Sequence, residues 1–137
     1  VIVGIKDSSG DWDNTRRLLA IDGLIVYPGA ELPVIDAIRL GGPGCISATA
    51  NLNGTGIANV IDLCHASKWD EAEAAHKPVK DVRLLFQDYA PIPAQKALLA
   101  LRTGDQRWNN LRPPFRGISD EKRDSLAASL APYGMNF

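Results

Sequence analysis

Three short apolar runs punctuate the first fifty positions of the chain: Val1–Ile5, Leu24–Tyr27 and Gly44–Ala50. Each is rich in β-branched or small residues and is followed by Gly, Asn, Ser or Pro, the pattern of a short buried strand. The segments between them change period. Residues 11–21 carry Leu18, Leu19 and Ile21 after Ser8-Ser9-Gly10. Residues 31–41 carry Leu32, Ile35, Ile38 and Leu40 and stop at Gly41-Gly42-Pro43, a helix C-terminal signal. Pro33 falls in the first turn of that helix, where a missing N–H is tolerated. Residues 55–67 place Ile57, Val60, Ile61 and Cys64 at helical spacing. The pattern over residues 1–67 is therefore βαβαβα. Its strands lie about twenty residues apart, which predicts parallel pairing through right-handed helical crossovers and an α/β fold.

Residues 68–137 read as helical. Trp69–Tyr89 places Val79, Val82, Leu85, Phe86 and Tyr89 on one side, and Pro78 is expected to kink or split it. Ile92–Thr103 forms the next helix, with Pro93 near its start and Gly104 past its end. Ser119-Asp120-Glu121 opens the last helix, with acidic residues opposing the macrodipole. The link 109–118, holding Pro113-Pro114, reads as an ordered connector. No internal repeat appears beyond the βα units.

Composition narrows the function classes. The 137 residues carry a formal net charge of −1, with 45% hydrophobic and 23% charged residues, the balance of one soluble globular domain. The basic residues are dispersed, which gives no electrostatic case for nucleic acid or a membrane surface. No apolar run reaches the roughly 18 residues of a membrane helix, and the first five residues lack the flank and length of a signal peptide. Cys45 and Cys64 form no C-x-x-C, and His65 and His76 stand at no zinc-type spacing from them. Both thiols read as buried, reduced and structural, which suits the cytoplasm. Both histidines read as solvated positions on surface helices. Asp70-Glu71 and Asp120-Glu121 read as helix N-terminal charge. Gly42-Pro43-Gly44 lacks the Gly-Lys-Ser/Thr of a P-loop, and no G-x-S-x-G elbow is present.

Lys6 is the residue that stands out. It ends an apolar run and shares a strand face with Gly4 and Ile2, whereas Asp7 points to the opposite face and cannot readily neutralise it. One reading is a lysine emerging at a strand end with its head in water. The other is a nucleophilic amine. Ligands gather at the carboxyl ends of strands in α/β folds. Apolar walls there disfavour the charged ammonium, and a neutral amine attacks a carbonyl to form an imine that serves as an electron sink.

The stretch V-G-I-K-D-S-S-G-D closely resembles the Schiff-base lysine strand of the dihydrodipicolinate synthase and N-acetylneuraminate lyase family. Y-P-G-A-E is similar to the next strand end in that family, and L-G-G-P-G-C-I-S-A-T-A-N to the strand after it. P-I-P-A-Q-K-A-L and P-P-F-R-G-I-S-D-E resemble its C-terminal helical region, in the same order and spacing. The resemblance implies the last three βα units of a (β/α)8 TIM barrel, strands 6–8, over residues 1–67, and a C-terminal helical extension over 68–137. It implies a lyase or aldolase that condenses or cleaves a pyruvate-type 2-oxo acid. Lys6 is then the catalytic imine former, Gly29 approaches the bound acid through its backbone, and Ile46 lines the same pocket. Read from the residues alone, Gly29 is a turn glycine and Ile46 an ordinary core isoleucine. No metal or organic cofactor is implied, because the lysine itself is the electron sink. Family members are commonly homo-oligomers, tetramers or dimers.

Three parallel strands cannot close a barrel of eight. The chain is thus expected to be a piece of a larger enzyme, inactive alone, whose missing N-terminal barrel half holds the carboxylate-binding hydroxyls and a proton-relay tyrosine. Two other readings stay open at this point. One is a non-enzymatic barrel-derived binding or assembly module. The other is a free-standing α/β domain binding a small anion at its strand ends.

Overall fold

A computed structural model describes residues 1–137. Two strands, β1 (Gly4–Asp7) and β2 (Ile25–Pro28), flank helix α1 (Trp12–Leu19). Helices α2 (Val34–Arg39), α3 (Ala50–His65), α4 (Trp69–Leu85), α5 (Pro91–Thr103) and α6 (Asp120–Leu130) follow, with 3-10 turns at Gln106–Asn109 and Ala131–Tyr133. No helix is long and apolar enough to cross a membrane.

The strands pair in parallel, as their spacing predicts, with Gly4 opposite Ile25 and Lys6 opposite Tyr27. Alternation then divides the ribbon into two faces. Val26 is 0% exposed and Pro28 is buried with Asp7, so this face turns toward the helices. Gly4, Lys6, Ile25 and Tyr27 share the other face, where Ile25 is 48% exposed and no element of the chain covers the lysine.

The third expected strand, Gly44–Ala50, is not a strand. Residues 43–46 pass beside β2 without regular structure, and only one bond joins them, from the Ile46 N–H to the Pro28 carbonyl at 3.0 Å. The chain then turns, and α3 begins at Ala50, five residues before the expected start. The physical reason is local. Ser47 Oγ accepts the Thr49 N–H at 3.3 Å, and backbone bonds from Asn51 to Ala48 and from Asn53 to Thr49 curl the segment early. Helix α3 breaks once, at Asn53, whose φ of −117° and ψ of 36° are non-helical. The expected 55–67 segment corresponds to the longer part beyond that break.

Pro78 does not split the helix that contains it. Helix α4 runs unbroken through Pro78, which is exposed along with Ala74, the residue whose carbonyl loses its donor. Val79 and Val82, just after Pro78, and Phe86 at the helix end are buried and pack the helix into the core. Two apolar clusters form the core. Val34, Ile35, Ile57, Val60, Cys64, Ala72 and Val79 join α2, α3 and α4. Leu52, Val82, Phe86, Ala94, Leu98, Leu126, Leu130 and Met135 join α3, α4, α5, α6 and the C-terminal tail. Helices α3 and α4 run through both clusters, so one stack of helices backs the short ribbon. Phe86, 1% exposed at the centre of the second cluster, is expected to carry much of this packing. Phe86→Ala is expected to lower unfolding stability by about 3 kcal/mol in denaturant titration.

Candidate functional site

The carboxyl ends of β1 and β2 place the expected site residues in a row. Lys6 is exposed on the uncovered face, one residue before the end of β1. Asp7 points the other way, as alternation requires. It is 8% exposed and accepts the Thr15 hydroxyl of α1 at 2.6 Å and the Ser9 N–H at 3.0 Å. These donors hold its carboxyl down at about 2. The Thr15 bond is the main cause, burial opposes it, and Ser9 adds to the lowering. Asp7 therefore pins β1 to α1 and leaves Lys6 without a neighbouring carboxylate on its own face.

Gly29 follows β2. Its N–H donates to the Asp7 carbonyl at 2.6 Å, extending the ladder one residue past Pro28. A β-carbon at this position would stand 2.8 Å from the Asp7 carbonyl oxygen and 3.0 Å from Ser8 Cα, both backbone atoms. Only glycine fits that approach. Ile46 is 46% exposed, and its backbone is bonded to Pro28 beyond Gly29's strand. Lys6, Gly29 and Ile46 thus lie on three adjacent stretches of chain, although they are up to 40 positions apart in sequence.

Behind this row lies a polar group that the sequence reading missed. Glu31 is 0% exposed, and its Oε2 accepts a short hydrogen bond from the Ser47 hydroxyl. Its Oε1 has no hydrogen-bond partner. His76 is not solvated as expected. It is 3% exposed, and its Nε2 bonds the Glu31 backbone carbonyl at 2.8 Å, with burial pushing its pKa down. A carbonyl only accepts, so Nε2 carries the proton and donates. The signal for His76 was available: it lies on the same helical stripe as Ala72 and Val79, both buried. His65 is exposed, as expected, and touches the Pro43 carbonyl at 3.0 Å. Cys64 is buried and Cys45 half-buried, and both are free thiols. Burial, reinforced by the Glu31 carboxylate, pushes the Cys45 thiol up to about 12.

A cleft of about 440 Å3 opens between α1 and the β2–α2 turn, lined among others by Asp7, Trp12, Gly29, Leu32 and Arg83. It lies on the helix side of the ribbon, so Lys6 does not line it. No three His, Cys, Asp or Glu side chains come together as a metal-binding set.

A family model described as the dihydrodipicolinate synthetase family matches residues 1–132. The chain belongs to that family. A 4-hydroxy-tetrahydrodipicolinate synthase from Blochmanniella pennsylvanica is 31% identical over 98% of the chain and 45% of its own length. Among solved structures, the chain superposes on dihydrodipicolinate synthase from Thermotoga maritima with a TM-score of 0.85 and 20% identity, covering 97% of this chain and 46% of that one. An N-acetylneuraminate lyase from Fusobacterium nucleatum, solved with pyruvate, gives 0.81 and 24%, covering 96% and 45%. The chain therefore spans less than half the length of these relatives. The family barrel explains the uncovered face: the ribbon and the 43–47 segment are the last units of a (β/α)8 TIM barrel, followed by its C-terminal helices.

Because its bound form is the charged carboxylate, Asp7 contributes stability above its unfolded value of 3.8, and that contribution is lost as pH falls toward about 2. Thr15→Val is expected to cost about 1.5 kcal/mol at neutral pH. The gap between variant and parent in thermal unfolding should narrow as pH drops from about 4 to about 2.

Proposed function

We propose that the family barrel of which this chain forms the final units is a class I lyase or aldolase, with Lys6 as its imine-forming residue and a pyruvate-type 2-oxo acid as its substrate. The observation that carries this reading is the face Lys6 occupies. It stands at the carboxyl end of β1, opposite Tyr27, on the side that an eight-strand barrel turns inward, with Asp7 held on the other side by Thr15. The pyruvate bound to the Fusobacterium lyase supports the substrate class.

The chemistry follows from the residue. The neutral amine of Lys6 adds to the ketone carbon of the 2-oxo acid. An acid protonates the carbinolamine hydroxyl, which leaves as water, and a protonated imine remains. That cation withdraws electrons from the adjacent carbon, so a proton or an aldehyde fragment leaves with its bonding pair held as an enamine. Reversal of the same steps joins the enamine to an aldehyde. Gly29 lets the main chain of the β2 turn stand close beside the lysine strand, where no side chain would fit. Ile46 supplies a partly exposed apolar wall from the next segment.

Carboxylate recognition and proton relay belong to the remaining five units of the barrel, so the reaction needs the complete barrel. The free thiols fit work in the cytoplasm, and a homo-oligomer is what the family resemblance implies.

In the complete barrel protein, pyruvate with borohydride should add one reduced pyruvyl group per chain, mapped to Lys6 by peptide mass spectrometry. Lys6→Ala should abolish the adduct and lower kcat at least 1000-fold while leaving thermal unfolding within a few degrees of the parent. Absence of the adduct, or an adduct on another lysine, overturns the reading and leaves a binding module in its place.

A further inference from the structure

The buried chain His76–Glu31–Ser47 joins parts that are distant in sequence. His76 belongs to α4, Glu31 to the turn between β2 and α2, and Ser47 to the segment that enters α3. Glu31 is held twice, at its backbone by the His76 ring and at its side chain by the Ser47 hydroxyl. Ser47 in turn accepts the Thr49 N–H at 3.3 Å. The two segments tied by Glu31 are the ones that carry Gly29 and Ile46. Neither contact involves exposed groups at its centre, since Glu31 is 0% and His76 3% exposed.

The carbonyl of Glu31 would be a buried acceptor without His76. A buried carbonyl left unpaired costs about 1–3 kcal/mol, enough for the turn to prefer another conformation that reaches water. Turning the Glu31 peptide moves its carboxylate and the Gly29 main chain two residues away. We propose that His76 is a positioning residue: its ring N–H on the Glu31 carbonyl fixes the β2–α2 turn, and through Glu31 and Ser47 it locks the Gly29 and Ile46 segments beside the Lys6 strand. This rests on the imine reading only for what the locked segments serve.

Other groups face the histidine. Glu31 approaches from the turn, and Glu73 and Lys80 lie on its own helix. Burial above all, with Lys80 adding to it, disfavours a second proton on the ring, so the neutral donor is the working form at neutral pH.

Cys45 and Cys64 make the proposal testable without catalysis. Cys45 lies near the Glu31 carboxylate, whereas Cys64 is 2% exposed in the cluster between α2, α3 and α4. The complete barrel protein, His76→Leu and His76→Gln are compared by alkylation with iodoacetamide at pH 8, mapped by peptide mass, and by pyruvate trapping at Lys6. Gln places an N–H near the position of Nε2; Leu has none. In His76→Leu, Cys45 alkylation should rise about tenfold with Cys64 unchanged, and the Lys6 adduct should form about tenfold more slowly. His76→Gln should stay within about threefold of the parent in all three. The proposal is overturned if Cys45 in His76→Leu reacts at the parental rate, if both cysteines accelerate together as general loosening requires, or if Gln behaves as Leu. A parent that traps no pyruvate counts against the imine reading alone; the two alkylation rates still decide the role of His76.

Discussion

Where β2 ends, the Gly29 N–H sits 2.6 Å from the Asp7 carbonyl. That single main-chain bond extends the parallel ladder past Pro28 and fixes the relative height of the two strand ends. It requires a glycine, because a β-carbon would meet backbone atoms of Asp7 and Ser8. With the register fixed, alternation does the rest: Asp7 goes to the helix side and Lys6 to the barrel side. A slip of one residue would exchange them, burying an ammonium against α1 and exposing the carboxylate.

The helices act mainly as a support for these strand ends. Thr15 of α1 holds the Asp7 carboxylate, and His76 of α4 holds the Glu31 carbonyl. Two apolar clusters that share α3 and α4 make the helical stack one body behind the ribbon. The uncovered face carries Ile25 and Lys6 together, on the side that the family barrel turns inward.

Much of this was legible from the chain. The short apolar runs predicted the two parallel strands, and Gly104 and Ser119 marked helix ends that the structure keeps, Gly104 at a φ of 70° and Ser119 as a side-chain cap on Lys122. Lys6 and Asp7 took opposite faces by period alone. What failed depended on neighbours. The G-C-I-S-A-T-A run has strand-like residues, but it gains a single bond to β2, and its Ser47 and Thr49 favour a turn over a ladder. Pro78 looked like a break because local rules ignore the buried face that holds α4 together. The burial of His76 was legible from its helical stripe with Ala72 and Val79, but its partner, a backbone carbonyl 45 positions away, has no signature in the sequence. Glu31 was hidden for the same reason: an acidic residue after a turn gives no hint of full burial.

The most direct measurement is a crystal structure of the complete barrel protein soaked with pyruvate. Lys6 should show unbroken density from its Nζ to the ketone carbon of the ligand, with Gly29 and Ile46 beside it. Pyruvate bound elsewhere, or a Lys6 Nζ pointing to bulk water in the closed barrel with no ligand attached, would contradict the assignment.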